Sequence, residues 1–230
     1  MKELRWTRWS VALAVFLFAG CGGPRDPVRE MQKSLSAAPD YMIILEDMRQ
    51  EGSFFVDYFH RYKVTQGDRS QTTNWVEVTE STYKQYEPFL GMALVAKTDQ
   101  GVNNTPHPAG YHYVGNPQYG SWNQGSGGSF WVFYGQYSLM RNMMGYGGRS
   151  IYRNDYNDYR TSSSRRQPYY GRNKEWGTSG SVTQKQKPSF YQRRKQRLAN
   201  RQSAFSQKAR NRAGRSRSGF GSRSRGGFGK

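Results

Sequence analysis

The stretch Phe54-Phe-Val-Asp-Tyr-Phe-His-Arg-Tyr-Lys-Val64 decides the fold, because its side chains alternate in character. Aromatic or apolar residues and one histidine occupy every second position, whereas Asp57 and Arg61 fall between them. A period of two is typical of a β-strand with one buried face. The apolar run 41–45 and the turn residues Gln50-Glu-Gly-Ser53 precede this stretch. We therefore predict a β-hairpin formed by two antiparallel strands.

Three further elements follow along the chain. Trp75-Val-Glu-Val78 and Met92-Ala-Leu-Val-Ala96 have the length and composition of strands. Thr79 is suited to cap a short helix that extends to Glu87 and stops at Pro88. Together with the hairpin, these elements predict an α+β fold, in which a small antiparallel sheet packs with one or two helices.

The middle of the chain allows more than one interpretation. Residues 100–128 read as a loop whose four aromatic residues either cover an edge of the sheet or are exposed: Tyr111, Tyr113, Tyr119 and Trp122. Residues 130–144 carry aromatic and Met side chains at helical spacing, which favours a helix packed on the sheet. A helix lying in a membrane interface and a strand are the alternatives for this segment.

The basic charge is concentrated in the last third of the chain. The whole chain has a formal net charge of +19, and residues 151–230 contain 21 Lys and Arg against 3 Asp and Glu. Few aliphatic residues remain there to offset chain entropy, so we predict a long disordered basic tail over residues 146–230 after an α+β domain at 40–145. Within the tail, residues 187–212 could form a transient basic helix around Tyr191, Leu198 and Phe205.

The N-terminus has the anatomy of an export signal. Lys2, Arg5 and Arg8 precede an apolar core, which ends in Leu17-Phe-Ala-Gly-Cys-Gly22. This run resembles the lipobox of bacterial lipoproteins, although Phe18 stands where that class usually has Leu. The resemblance implies a signal peptide at 1–20, cleavage between Gly20 and Cys21, and acylation of Cys21, for example by palmitate.

Several functional expectations follow from that anchor. Residues 21–39 would form a tether to the folded domain. By the same resemblance, Gly22 after the cysteine favours the outer membrane over the inner membrane, where the host has both. Cys21 is the single cysteine, so no disulfide within the chain is expected. The protein is expected in the bacterial cell envelope, anchored to the membrane by its N-terminal lipid.

The residues do not form a recognisable catalytic or metal site. No nucleophile motif or phosphate-binding loop occurs, and His60, His107 and His112 lack the spacing of metal ligands. Four carboxylates near the hairpin are predicted to lie on a solvated face: Glu46, Asp47, Glu51 and Asp57. We therefore expect no enzyme activity, no metal and no cofactor.

The basic tail is the main functional signal. Its Arg-Gly and Arg-Ser segments with interspersed Phe resemble the tails of RNA-binding proteins, which neutralise phosphates and stack on bases. Behind an export signal, anionic lipids or cell-wall polymers are the nearer polyanions. The residues expected to make this contact are Arg193, Arg194, Lys195, Arg215, Arg217, Arg223 and Arg225. The alternatives are nucleic-acid binding and a tail that only keeps the chain soluble.

Two segments together resemble a family of envelope proteins. The first is Gly128-Ser-Phe-Trp131 followed by Met140-Arg-Asn-Met-Met-Gly145, and the second is Arg225-Gly-Gly-Phe-Gly229 near the end. With the lipobox, they are similar to the YgiB-type bacterial envelope lipoproteins. The resemblance covers about 40 residues, does not extend to residues 41–98, and implies location without implying an activity. The sequence thus predicts an envelope lipoprotein with a structural or interaction role and no assigned protein partner.

Overall fold

The computed structural model describes residues 26–52, 55–67, 69–137 and 150–217. The α-helices in these ranges are α1 (Pro27–Ser34), α2 (Glu80–Tyr86), α3 (Arg153–Ser164), α4 (Ser181–Gln186) and α5 (Pro188–Arg217). The strands are β1 (Tyr41–Glu51), β2 (Asp57–Gln66), β3 (Arg69–Thr72), β4 (Val76–Val78), β5 (Met92–Thr98), β6 (Gly101–Asn103), β7 (His107–Pro108), β8 (Gly120–Gly125), β9 (Gly128–Phe133) and β10 (Ile151–Tyr152). The α+β class is confirmed.

The larger sheet is antiparallel and has the order β3-β2-β1-β5-β6, with β4 paired to β2 and β7 paired to β5. The predicted hairpin is present, since Ile43 pairs with Val64 and Glu51 with Asp57. The predicted capping of α2 is also present, because the Thr79 hydroxyl oxygen accepts a hydrogen bond from the backbone N–H of Thr82. Of the alternating residues of β2, His60 and Tyr62 are fully buried, whereas Tyr58 and Val64 are partly buried.

Strand β1 lies in the middle of this sheet and is covered on both faces. Met42 and Ile44 belong to one hydrophobic cluster, whereas Ile43 and Leu45 belong to another. This explains why residues 41–45 form a continuous apolar run rather than an alternating one. The sheet is therefore the middle layer of three.

The two outer layers are of different kinds. On one face lies the three-stranded sheet β10-β9-β8, with α3 and the aromatic residues of the 100–128 segment. On the other face lie α1, α2 and the first turns of α5, which contributes the buried Phe190. The tether segment thus belongs to the fold, because Val28 of α1 is buried in this second cluster.

The structure differs from the prediction of a domain that ends at residue 145. Residues 150–193 contribute to both outer layers, and five of their hydrophobic side chains are buried: Ile151, Tyr159, Tyr169, Trp176 and Phe190. Tyrosine supplies the missing apolar area, because its ring can be buried when its hydroxyl finds a partner. The Tyr169 hydroxyl donates to Asp155 Oδ1 at 3.1 Å, and the Tyr159 hydroxyl accepts from Asn103 at 3.0 Å.

Two further expectations are corrected. Residues 128–133 form strand β9 and pair with β8 and β10, so the helix expected from residue 130 is absent there. In the 100–128 segment, Tyr111, Tyr113 and Tyr119 are buried core residues, and Trp122 packs against the same cluster. The expected continuation to residue 144, including the Met-rich part of the family resemblance, lies outside the described residues after Tyr137.

Candidate anion-binding site

The structure separates the predicted polyanion-contacting residues into three groups. Arg193, Arg194 and Lys195 lie near the start of α5. The backbones of Arg215 and Arg217 lie at the end of the same helix, and their side chains are outside the described part. The remaining pair, Arg223 and Arg225, falls outside the described residues, as do Gly20 and Cys21.

The first turns of α5 are fixed to strand β1. Phe190 is buried, and Arg193 Nη2 lies 2.7 Å from Asp47 Oδ1. Further along the helix, Arg197 Nη1 donates to the backbone oxygen of Gln50 at 2.7 Å. Asp47 is only 4% exposed, which corrects the expectation that it lies on a solvated face. The helix is thus held through its first three turns, after which it leaves the body of the protein.

A cleft of about 250 Å³ opens where β1, α2 and α5 meet. We call it the arginine cleft, because five arginines line it: Arg49, Arg193, Arg194, Arg197 and Arg201. The single carboxylate among its lining residues is Glu87, whose Oε1 lies 3.8 Å from Arg194 Nη2. The lining therefore carries a clear excess of positive charge.

Not all of this charge is matched by acidic groups of the protein. Arg49 Nε lies 3.1 Å from Glu51, which is half exposed. Arg197 donates only to backbone oxygens within the described residues. The Nε groups of Arg193 and Arg197 are buried and lack a hydrogen-bond partner among the described atoms. Since buried donors in proteins are nearly always satisfied, the cleft is short of acceptor oxygens.

Tyr83 of α2 adds a neutral donor to the wall of the cleft. Burial, and then the charge of Glu87, raise the pKa of Tyr83 to about 12, although a side-chain hydrogen bond with Gln50 and the charges of Arg194 and Arg197 oppose the shift. Its hydroxyl is therefore protonated at neutral pH and can donate a hydrogen bond.

The basic residues of the cleft continue along one side of α5. Arg194, Arg197, Arg201, Lys208 and Arg212 are separated by three, four, seven and four residues. At 3.6 residues per turn, these positions fall within about 60° of each other around the helix. We call this stripe the basic face.

Two large apolar side chains lie beside the basic face. Leu198 is 54% exposed and Phe205 is 75% exposed, and their spacing of seven residues places them on the same side of the helix. Every residue from 198 to 212 is exposed. We call residues 198–217 the arm; at 1.5 Å per residue it is about 30 Å long.

A second cavity, of about 300 Å³, lies beside α3 and β10 and includes Tyr111, Asp155 and Trp176 in its lining. Both oxygens of Asp155 already accept hydrogen bonds, from Tyr111 at 3.2 Å and from Tyr169 at 3.1 Å. Burial raises the pKa of Tyr111 and of Tyr169, so both remain donors. The carboxylate thus serves to hold the two tyrosines in the core.

The histidines are core residues. His60 and His107 are fully buried, and burial lowers the pKa of His60 to about 4 and that of His107 to about 3. His107 and His112 are neighbours, with ring centroids 5.9 Å apart. In the described ranges, no three His, Cys, Asp or Glu residues are grouped as a metal site would require.

Comparison with protein families, curated proteins and solved structures finds no match. Among the described helices, none combines the length and the apolar character that a membrane crossing requires. The functional argument therefore depends on the cleft and on the arm. Sequence spacing could have revealed the basic face, but it gave no sign that Arg49 of β1 lines the same cleft.

Proposed function

We propose that this protein is an envelope lipoprotein, anchored through acylated Cys21, whose basic arm contacts an anionic membrane surface. The observation that carries the proposal is the combination on one side of α5: basic residues next to the exposed Leu198 and Phe205. A helix of this kind can lie in a membrane interface, with its apolar side chains below the headgroups and its cationic groups among the phosphates.

The energetic requirements of a membrane contact support this reading. Acyl chains on Cys21 would supply membrane affinity of about 0.8 kcal/mol per buried methylene, and a basic patch adds a second, electrostatic contact. Each Lys or Arg close to an anionic surface contributes about 1 kcal/mol. Helix α5 contains ten Lys and Arg and no Asp or Glu, so all ionised side chains of the helix are positively charged.

The contact can be tested on residues 21–230 carrying Cys21→Ser, which removes the acyl anchor. We would measure binding to vesicles of phosphatidylglycerol and phosphatidylcholine, and to phosphatidylcholine alone. Binding should require the anionic lipid and should fall as salt shortens the screening length. Equal binding to both kinds of vesicle would contradict an electrostatic contact.

Two double variants distinguish the effect of the basic face on vesicle binding from the effect of total charge. Lys208→Gln/Arg212→Gln changes the basic face, whereas Lys195→Gln/Arg210→Gln removes the same charge from the other side of the helix. The first should weaken binding to anionic vesicles by about tenfold or more, and the second by less than about threefold. An equal effect of both variants would mean that the arm acts only as a charged segment that favours solubility.

The anchor has its own test. Intact mass spectrometry of membrane-extracted protein should give a mature N-terminus at Cys21 with added acyl mass, and the Cys21→Ala protein should lack that mass. An unprocessed chain that starts at Met1 and is found in the cytosol would overturn the envelope assignment.

The second candidate function is nucleic-acid binding, which the exposed Phe205 among arginines favours, since a ring in this position can stack on a base. It predicts that single-stranded RNA binds more tightly than heparin at matched salt concentration. Equal affinity for the two polyanions would leave only general electrostatic attraction.

A further inference from the structure

We propose that the arginine cleft binds one phosphate monoester group, carried by a small polar molecule or by a lipid headgroup. The cleft is a discrete site formed by three elements, so this inference goes beyond the surface contact of the arm and does not depend on it.

The donors of the cleft converge from different parts of the chain. Arg49 comes from β1, Tyr83 from α2, and Arg194, Arg197 and Arg201 from α5. A guanidinium presents several N–H groups in a planar fork that matches the oxygens of carboxylate and phosphate. A phosphate monoester has three terminal oxygens, which suit donors arriving from three sides better than the two oxygens of a carboxylate.

The charge of the cleft calls for an anion with more than one negative charge. Five arginines line the cleft, and three of them lie within 4 Å of a carboxylate, because Asp47, Glu51 and Glu87 pair with Arg193, Arg49 and Arg194 respectively. The cleft therefore keeps an excess of two positive charges. A phosphate monoester carries about −1.5 to −2 at neutral pH, whereas a diester carries one negative charge. The monoester therefore neutralises more of the cleft.

Unsatisfied hydrogen-bond donors also favour binding of an anion in the cleft. The buried Nε groups of Arg193 and Arg197 belong to residues that line the cleft. Buried polar groups without partners within the described residues mark a place where an acceptor from outside the protein can bind. Arg49 and Arg197 both line the cleft although they are 148 positions apart in the chain, so the cleft is a product of the fold.

The volume of the cleft and its apolar walls limit the size and the chemical nature of the ligand. A volume of about 250 Å³ exceeds the needs of a bare ion but is slightly below the range of about 300–1,000 Å³ that is usual for drug-sized ligands. Met48, Phe190 and Leu198 supply apolar wall. These dimensions suit a phosphate with a short attached group.

Calorimetry on residues 21–230 with Cys21→Ser tests the site with defined probes: inorganic phosphate, glucose 1-phosphate and glucose. We expect saturable binding of the two phosphates at one site and none of glucose. Vesicles of phosphatidic acid and of phosphatidylglycerol, matched in zeta potential, test the lipid source, because only phosphatidic acid exposes a monoester. Tight binding of glucose 1-phosphate identifies a soluble ligand, whereas a preference confined to phosphatidic acid vesicles identifies a headgroup.

Arg49→Gln provides the deciding variant, since Arg49 is on β1 and not on the arm. It should weaken phosphate binding by about 10–100-fold and leave phosphatidylglycerol binding unchanged. Lys208→Gln/Arg212→Gln should weaken phosphatidylglycerol binding and leave phosphate binding unchanged. A wrong proposal for the cleft and a wrong proposal for the arm therefore give different results. Arg194→Gln replaces Arg49→Gln if the latter does not fold, with phosphate binding as its only readout, because Arg194 also belongs to the basic face.

The proposal is overturned if phosphate binding does not saturate, or if a folded Arg49→Gln or Arg194→Gln protein binds phosphate as the parent does. It is also overturned if neither soluble phosphate binds and phosphatidic acid vesicles bind no better than phosphatidylglycerol vesicles of equal potential.

Discussion

Arg193 Nη2 and Asp47 Oδ1 lie 2.7 Å apart, although 146 positions separate these residues in the chain. Asp47 also lies 3.5 Å from Arg61 Nη2 and accepts from the backbone N–H of Met48 at 2.8 Å. This carboxylate therefore joins β1, β2 and α5 at one buried point. It holds the start of α5 in place and thereby positions both the arginine cleft and the arm.

Replacing Asp47 by Asn should lower the free energy of unfolding by about 2–3 kcal/mol. The substitution leaves Arg61 and Arg193, both partly buried, next to a neutral amide in place of the carboxylate with which they pair. Urea denaturation measures the change. Asp57→Asn is the matched control, because Asp57 is exposed. The free energy of unfolding of this variant should stay within about 0.5 kcal/mol of that of the parent. Equal losses in both variants would contradict a special role for Asp47.

Acid should destabilise the fold through His60. Burial lowers its pKa to about 4, whereas in the unfolded chain the pKa is near 6.5. The unfolded state therefore takes up a proton that the folded state excludes, and stability is lost as the pH falls from about 6.5 towards 4. The full effect is on the order of 3 kcal/mol.

Denaturation curves between pH 7 and pH 4.5 measure that loss. His60→Gln is expected to be less stable at pH 7 but to show a shallower decline towards acid, because it has no imidazole to protonate. Identical pH slopes in the two proteins would be incompatible with a neutral, buried His60. NMR titration of the imidazole provides a direct check, with protonation in the folded protein expected only near pH 4.

Gly177→Ala should loosen the loop that leads from α3 to α4. Gly177 has a φ of 76°, and a Cβ there would lie 2.6 Å from the backbone oxygen of Pro88. The left-handed conformation costs about 1–2 kcal/mol for alanine, and the backbone contact adds to this. Thermal unfolding should show a lower midpoint. Gly135→Ala is the control, because a Cβ at Gly135 meets no atom within 4 Å; a comparable decrease there would point away from the Pro88 contact.

Truncation should distinguish the folded body from the arm. A chain that ends at residue 149 loses the five buried side chains Ile151, Tyr159, Tyr169, Trp176 and Phe190. Their burial is worth on the order of 10 kcal/mol, which is comparable to the whole stability of a domain, so this chain should not unfold cooperatively.

A chain that ends at Ser203 keeps all five of these residues and the arginine cleft. Its melting temperature should stay close to that of the parent, because residues 204–212 are exposed. Circular dichroism during heating measures both chains. A cooperative transition in the shorter chain would mean that residues 150–193 are not required for the core.

The extent to which sequence predicts this fold depends on the range of the interactions. The β1–β2 hairpin, α2 with its Thr79 cap, and β5 follow from periodicity and capping, which involve neighbours in the chain. The position of α5 was also readable, since the predicted basic helix around Tyr191, Leu198 and Phe205 lies within Pro188–Arg217. Strand β9 was misread, because aromatic residues at mixed spacing fit a helix and a strand equally well.

By itself, the sequence determined the antiparallel hairpin, the excess of basic residues after residue 150, and the basic face of α5. These features depend on which residue types recur at a local period. Only the tertiary structure decided that Tyr159, Tyr169 and Trp176 are core residues, and that Arg49 and Arg197 line the same cleft. The physical reason is that these groups meet across long stretches of chain. Their burial and their charge balance depend on partners that no local pattern specifies.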